Sequence, residues 1–204
     1  GRPKSGTPTQ IAAMIATCAG AGQLNVGAAG LTVNGRLQAT AVSVEPGAVL
    51  AGTGRLEVAT VTVQGTINPG PWQGTAASTL TCTGAVIFDH GHFDCRVTGD
   101  SAADLVAAGG SVSGTGTVTV DRVADAAPLA LAVIAGGTGS AWAGFEAAGS
   151  NWWLRGDGDT LRLTDFRSDR DGDEIPDWWE NTHHESRTGL VLHTDNDGDS
   201  MPNL

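Results

Sequence analysis

The sequence predicts an all-β fold of short stacked strands, a β-helix or solenoid, and three observations favour it. Apolar and polar residues alternate from Leu31 to Val120 in runs of about four to six residues, which is typical of half-buried strands. Turn-forming pairs such as Asn34-Gly35 and Pro46-Gly47 separate these runs. Aromatic residues make up only 5% of the chain, so the core must be a narrow column of small apolar side chains.

Each strand is predicted from a pair of apolar residues two positions apart. Two architectures fit such strands: a sandwich joined by hairpins, or a β-helix whose coils stack with tight corners. Small β-branched residues on one face, with Thr and Ser on the other, favour the β-helix, because stacked coils repeat one type of side chain at one position. The residues expected inside are Leu31, Val33, Val42, Val44, Leu56, Val58, Val61, Val63, Leu80, Cys82, Val86, Phe88, Phe93, Cys95, Val97, Val118 and Val120.

Composition and charge exclude several classes of function. The net charge of -11 argues against nucleic acid as a partner, since binding its backbone needs clustered Lys and Arg. The sequence contains no apolar run of the length that a membrane-spanning helix requires. It also contains no nucleophile-elbow, phosphate-loop or zinc-protease motif, and we therefore expect that the protein is not an enzyme.

The acidic charge is concentrated near the C-terminus and predicts two regions. Residues 1–155 carry nine acidic and seven basic side chains, whereas residues 156–204 carry thirteen acidic and four basic ones. So many carboxylates in a short segment repel one another unless they are solvated or neutralised by cations. We assign residues 1–165 to the β-helical region and residues 166–204 to an acidic module.

The acidic module contains a loop with the ligand spacing of a calcium site. A twelve-residue loop supplies oxygen ligands from positions one, three, five, seven, nine and twelve, the seventh through its backbone carbonyl. These positions hold Asp169, Asp171, Asp173, Ile175, Asp177 and Glu180. Trp178 and Trp179 follow Pro176, and we expect them to begin a short helix with one Trp packed under the loop.

A second copy of the loop begins at Asp195 and makes a chance match improbable. Its first four ligand positions are Asp195, Asp197, Asp199 and Met201, the last through its carbonyl, and Asn203 takes the ninth. The sequence ends before the twelfth position, and we therefore expect the chain to be a piece of a longer protein. The cofactor that both copies predict is Ca²⁺.

The two loops resemble the bacterial thrombospondin type 3-like calcium repeats, which often lie near the C-terminal ends of exported proteins. The family pattern is close to D-x-D-G-D-G-x-P-D-x-W-E, and this chain reads DRDGDEIPDWWE and then DNDGDSMPNL. Glu174 and Ser200 replace the family's Gly at the sixth position. A side chain at this sharp turn costs free energy, so the departure bears on calcium affinity more than on the identity of the ligands.

The strand-rich region resembles the passenger-associated repeat of autotransporter-type β-helical proteins. The resemblance rests on GTGRLEVATVTVQGTINPG, on Asp104-Leu105-Val106, and on the later strand around Leu161-Arg162-Leu163. It covers roughly residues 24–165. It implies a right-handed parallel β-helix that is usually exported to the cell surface.

Several other features leave alternatives open. Trp142, Phe145, Trp152 and Trp153 either cap the open end of the column or form a platform on which a sugar stacks. Cys18, Cys82 and Cys95 are predicted to be buried apolar residues, although Cys82 and Cys95 could pair across adjacent strands.

Charged and imidazole groups in the strand region give no strong indication of a site. The segment FDHGHFDC brings Asp89, His90, His92 and Asp94 together in sequence, and Gly91 suggests a turn there more than a metal site. Polysaccharide lyases on β-helices pair acidic ligands with a basic residue. Here the basic candidates Arg36, Arg55, Arg96 and Arg122 are scattered and match no acidic cluster in the sequence.

The sequence as a whole predicts a structural or adhesive segment of an exported bacterial surface protein, with C-terminal loops that Ca²⁺ stabilises. Its expected location is extracellular, because exported modules of this kind bind Ca²⁺ at the millimolar concentrations found outside cells. Surface glycans or other surface proteins are the expected partners. The alternative is a carbohydrate-binding or polysaccharide-degrading β-helix protein.

Overall fold

The computed structural model describes residues 9–11, 16–17, 22–70, 76–99, 101–122, 130–149, 151–165, 175–176 and 178–179. β-strand is the main secondary structure of these residues, with turns and bends between the strands and helical backbone only at Trp178 and Trp179 within the described part of the chain. In chain order the strands are β1 (Thr9–Ile11), β2 (Ala16–Thr17), β3 (Gln23–Val26), β4 (Leu31–Val33), β5 (Arg36–Gln38), β6 (Ala41–Val44), β7 (Val49–Gly52), β8 (Arg55–Glu57), β9 (Thr60–Val63), β10 (Thr66–Pro69), β11 (Thr79–Cys82), β12 (Ala85–Gly99), β13 (Ala102–Ala103), β14 (Leu105–Ala108), β15 (Val112–Arg122), β16 (Leu131–Ala135), β17 (Phe145–Ala147), β18 (Trp152–Asp157) and β19 (Thr160–Asp165).

Strands from β1 to β8 pair in parallel with the strand three further along the chain, and not with their sequence neighbours. One column runs β1, β4, β7 and β10, a second runs β2, β5, β8 and β11, and a third runs β3, β6 and β9. A strand that meets its parallel partner after two intervening strands has completed one turn of a coil. The parallel sheets therefore close on themselves like a solenoid, as the sequence predicts.

Two long strands connect the columns and join the third to the first. The first part of β12, Ala85–Phe88, pairs with β9, whereas His92 and Phe93 later in the same strand pair with β10. The next coil repeats this course, because β15 follows β12 in parallel along most of its length. The first and third columns thus become one continuous sheet.

Each column buries a stack of apolar side chains in register. Leu31, Leu50, Ile67, Phe93 and Val118 form one stack, and Val42, Val61, Val86 and Val112 form another. Burying one Val or Leu side chain contributes about 1.5–3 kcal/mol. The residues predicted to face inward are buried, apart from the partly buried Val120.

The coils lengthen along the chain. Hydrogen bonds between equivalent places in successive coils join residues 19 apart at Gln38 and Glu57, 26 apart at Ser78 and Asp104, and 29 apart at Thr117 and Glu146. The longer coils also contain the buried phenylalanines, Phe88 and Phe93. The larger cross-section is therefore filled by larger side chains.

Close stacking of the coils requires glycine at some corners. Gly52 has a φ of 115°, and a Cβ atom there would overlap the backbone carbonyl oxygen of Val33 in the coil below. An L-residue would meet both a strained backbone and a direct overlap at this position. The Gly-Thr-Gly step in the sequence thus marks a contact between coils as well as a turn.

The parallel stack ends in an antiparallel hairpin. β18 and β19 pair with each other in antiparallel orientation, and β19 then pairs with β16 in the same way. Leu131 and Val133, which alternate with other residues in the sequence, lie in β16. At the other end of the chain, β1 pairs with β4 and β2 pairs with β5. No helix in the described part of the chain is long and apolar enough to cross a membrane.

Candidate functional site

Most of the predicted calcium ligands fall outside the described residues, and the structure describes only Ile175 among them. The other predicted ligands, whose positions the structure does not describe, are Asp169, Asp171, Asp173, Asp177, Glu180, Asp195, Asp197, Asp199 and Met201. Ile175 is only 2% exposed, so its side chain is buried while its carbonyl holds the seventh position of the loop. The calcium loops therefore remain a prediction.

The segment around Ile175 contacts the last hairpin of the strand region. The ring of Trp178 meets that of Trp153 in β18 edge-to-face, with centroids 6.3 Å apart and an interplanar angle of 70°. The backbone nitrogen of Trp179 donates to the carbonyl of Pro176 at 2.8 Å, which closes one turn. The backbone is helical at Trp178 and Trp179, where the sequence predicts the start of a short helix, and Trp178 lies against the last hairpin.

Aromatic side chains fill and cover the end of the column. Phe145 packs edge-to-face on Phe88 at 5.1 Å between centroids and lies 5.8 Å from Trp142. Trp142 also donates from its indole nitrogen to the carbonyl of Gly158 at 2.9 Å. Trp152 packs against the core as well, which confirms the capping interpretation for these three side chains, whereas Trp153 is 46% exposed.

The arginines that are scattered in the sequence lie beside carboxylates in the fold, which the sequence alone does not predict. Arg36 and Arg55 both approach Glu57 on the outer face of neighbouring coils. Partial burial acts against ionisation of this carboxyl, but the hydrogen bonds from Arg36 and Gln38 outweigh it and hold the pKa of Glu57 below its ordinary value. The pair of Arg36 with Glu57 joins β5 to β8 in the next coil, whereas Arg55 and Glu57 lie in the same strand.

Arg122 contacts both a carboxylate and an aromatic ring at the end of the stack. Its guanidinium group pairs with the carboxylate of Asp165 and lies 4.9 Å above the ring of Trp152. The cation therefore joins β15 to the final hairpin and lies over one of the capping aromatic rings.

Arg96 and Asp104 form a buried ion pair inside the wide coils. Arg96 donates from Nε and from its backbone nitrogen to Oδ2 of Asp104, at 2.7 and 3.1 Å, and the backbone nitrogen of Ser78 donates to Oδ1 at 2.8 Å. Burial raises the pKa of Asp104, although the hydrogen bonds from Arg96 and Ser78 oppose the shift. The pair ties together β12, the residue before β14 and the segment before β11.

Cys82 and Cys95 are free, buried thiols. Cys82 lies in β11 and Cys95 in β12, and these two strands are not paired, so the alternative of a bond across adjacent strands is wrong. Burial raises the pKa of Cys82 to about 12, and burial also raises the pKa of Cys95, with the Asp104 charge adding to the effect. Neither thiol is reactive at neutral pH. Cys18 lies outside the described residues.

The segment containing Asp89 and His90 is a bulge within β12 and not the turn that Gly91 suggests. The register with β15 shifts between Asp89 and Gly91, and His90 has a φ of 58°, which non-glycine residues rarely adopt. Asp89 accepts from Gln64 at 2.7 Å and lies 3.1 Å from Nδ1 of His90. These two hydrogen bonds lower the pKa of the Asp89 carboxyl.

A cavity of about 300 Å³ opens beside this bulge. Its lining consists of His90, Thr115, Gly116, Thr117, Gly144 and Glu146, from three successive coils. Of these residues only His90 stood out in the sequence, because the others are brought together by the coil register. No group of three or more His, Cys, Asp or Glu side chains suited to a metal ion occurs among the residues that the structure describes.

Comparison with known proteins does not assign the chain to a family. No protein-family model matches it, and no curated protein matches it.

Proposed function

We propose that the chain is a structural or adhesive segment of an exported bacterial surface protein, similar to autotransporter passengers, and that its coil is a right-handed β-helix. The stack of parallel strands supports the architecture. The handedness follows from a general rule, since crossover connections between parallel strands of one sheet are right-handed in about 98% of cases.

We further propose that residues 169–180 and 195–204 bind Ca²⁺. The donors at the predicted positions are carboxylates and backbone carbonyls, which are the hard oxygen ligands that Ca²⁺ prefers. The ion would supply the positive charge that lets these carboxylates lie close together. The spacing of acidic residues in the two copies is the observation that carries this proposal.

The contact between Trp178 and Trp153 suggests what the ion does for the fold. Ile175 is buried and Trp178 packs on β18, so ordering of the first acidic loop stabilises the end of the stack at the same time. Ca²⁺ then acts on the loop and on the final hairpin together, because a ligand that binds only the folded form raises its stability.

Calcium titration of the whole chain tests this proposal. We expect heat of binding in the range from about 0.1 to 1 mM Ca²⁺, as in other extracellular modules, together with a higher thermal midpoint. Asp171→Asn with Asp173→Asn should remove the first binding event. Asp157→Asn, which removes a carboxylate from β18 outside the loops, is the matched control and should leave it intact.

The link to the stack is tested separately by Trp153→Ala. This variant should still bind Ca²⁺, but the rise in thermal midpoint on adding the ion should be smaller than in the wild type. If neither the chain nor the control variant takes up Ca²⁺ at about 10 mM, well above the affinity of extracellular sites, the calcium proposal is wrong.

The second candidate function is carbohydrate binding or degradation, and the exposure of Trp153 favours its binding form. Trp142 and Trp152 are packed into the cap, so Trp153 is the aromatic residue of this group whose ring remains available for stacking on a sugar. Binding on a glycan array that Trp153→Ala abolishes would support this function. Release of unsaturated ends from acidic polysaccharides would instead indicate a lyase.

A further inference from the structure

We propose that the cavity beside the β12 bulge is a binding site for a short neutral saccharide. Its described lining contains none of the predicted calcium ligands and does not include the exposed Trp153. Its volume of about 300 Å³ lies at the lower end of the range for small-molecule sites, which suits a short saccharide.

Glycine backbone that packs on aromatic rings forms part of the floor of the site. Gly116 and Gly144 contribute backbone but no side chain to the lining, and Gly116 lies directly over the rings of Phe88 and Phe145. A Cβ atom at Gly116 would approach these rings to 3.1 and 3.3 Å. The depression therefore has a floor that the aromatic packing beneath holds rigidly.

The bulge places an imidazole at the rim of this depression. His90 is the one non-glycine residue with a positive φ in the described part of the chain, and its side chain is 87% exposed. Asp89 contacts Nδ1 of the ring, which leaves Nε2 as the ring atom for a ligand. Strained backbone and bulges concentrate at binding sites, where they aim a side chain that a regular strand would direct elsewhere.

The hydrogen-bonding groups of the lining match hydroxyl groups. Thr117 is in register with Glu146 in the next coil, and Thr115 is in register with Asp89 in the previous one. Threonine hydroxyls donate and accept, a carboxylate accepts from two directions, and a neutral imidazole does both. A polyol presents alternating donors and acceptors of this kind.

The charges exclude other ligands. The carboxylates of Asp89 and Glu146 repel phosphates, sulfates and acidic sugars, as does the net charge of -11. The lining has no aromatic side chain to hold an organic cation, and the described residues offer no three-ligand group for a metal ion. These charges favour a neutral saccharide over an acidic one.

Titration calorimetry on the full chain, at a constant millimolar Ca²⁺ concentration, tests the proposal. The probes are neutral trisaccharides of glucose and mannose in α and β linkage, with trigalacturonic acid as the anionic counterpart. At least one neutral trisaccharide should bind, and at least about tenfold more tightly than trigalacturonic acid. Glu146→Gln should weaken that binding by about tenfold, because a neutral amide oxygen replaces the charged acceptor and makes a weaker hydrogen bond.

Matched variants separate this site from the other candidates. Thr117→Val should weaken binding, whereas Thr62→Val, on the same outer face but away from the cavity, should not. Trp153→Ala should leave the affinity unchanged, and so should Asp171→Asn with Asp173→Asn, whatever their effect on Ca²⁺. The proposal is overturned by the absence of binding at about 10 mM saccharide, by preference for the anionic sugar, or by loss of binding with Trp153→Ala but not with Glu146→Gln.

Discussion

The short coils between Gln23 and Val63 and the long coils from Thr79 onward differ in the side chains that fill them and in where their ion pairs lie. In the short coils the inside is filled by Val and Leu, and the charged groups of Arg36 and Glu57 pair on the outer surface. In the long coils two buried phenylalanines fill a wider interior, and the ion pair of Arg96 and Asp104 is itself buried. Parallel pairing continues in both regions, and much of the added length lies in the long strands β12 and β15.

The largest expected effect is on thiol reactivity in the long coils. Raising the pKa of Cys82 from 9.0 to about 12 lowers its thiolate fraction about a thousandfold. In a Cys18→Ala background, labelling by a thiol reagent at pH 8 should be slower by at least this factor than in the unfolded chain. Rapid labelling of the folded protein would contradict the burial of both thiols.

Thiol labelling can also compare the stability of the short and the long coils directly. Val61→Cys, in a background without the native cysteines, places a buried thiol in the short coils. We expect it to become reactive at a lower denaturant concentration than Cys82, because the short coils have smaller core side chains and no aromatic cap. Exposure of both thiols at one denaturant concentration would show that the whole stack unfolds as a single unit.

Truncation of core residues should cost more in the long coils. Phe88 and Val63 occupy the same register position in successive coils, and both are buried. Phe88→Ala should lower the free energy of unfolding by about 3–5 kcal/mol, and Val63→Ala by about 2 kcal/mol. Denaturant unfolding followed by circular dichroism measures both values, and equal losses would contradict a difference in how the two regions are filled.

Removing the carboxylate should lower the free energy of unfolding more for the buried ion pair than for the surface pair. Asp104→Ala leaves the Arg96 charge buried without this carboxylate and should cost about 3 kcal/mol. Glu57→Ala in the short coils should cost much less, since water screens that pair. The double variant Arg96→Met with Asp104→Leu removes both charges and should recover most of the free energy of unfolding that Asp104→Ala loses. If the double variant is destabilised as much as Asp104→Ala, the pair contributes more than charge compensation.

The smallest expected effect is a pH dependence from Asp104. Because burial raises the pKa of this carboxyl above 3.8, the folded chain holds the proton more tightly than the unfolded chain does. Its contribution to the free energy of unfolding is therefore fully present below pH 3.8 and falls as pH rises through the raised pKa. The stability difference between wild type and Asp104→Asn should change over that acidic range and level off above it.

Alternation of residue types predicts the strands well, because burial of one face imposes a period of two wherever a coil is regular. It predicts Val61, Val86 and Phe93 as core residues without any knowledge of pairing. It does not predict the partners of the arginines or the lining of the cavity, since contacts such as that of Thr117 with Glu146 depend on the coil length. That length changes along this chain, and no local pattern encodes it.

The antiparallel hairpin at the end of the strand region has a consequence for assembly. A parallel coil end is a template on which another copy could add its first coil, and repeated addition would give a fibre. Here β19 occupies the edge of β16 in the reverse direction, and the outer strand β18 presents the exposed Arg155 and Asp157. End-to-end polymerisation through this column is thus blocked by a reversal of chain direction followed by charge.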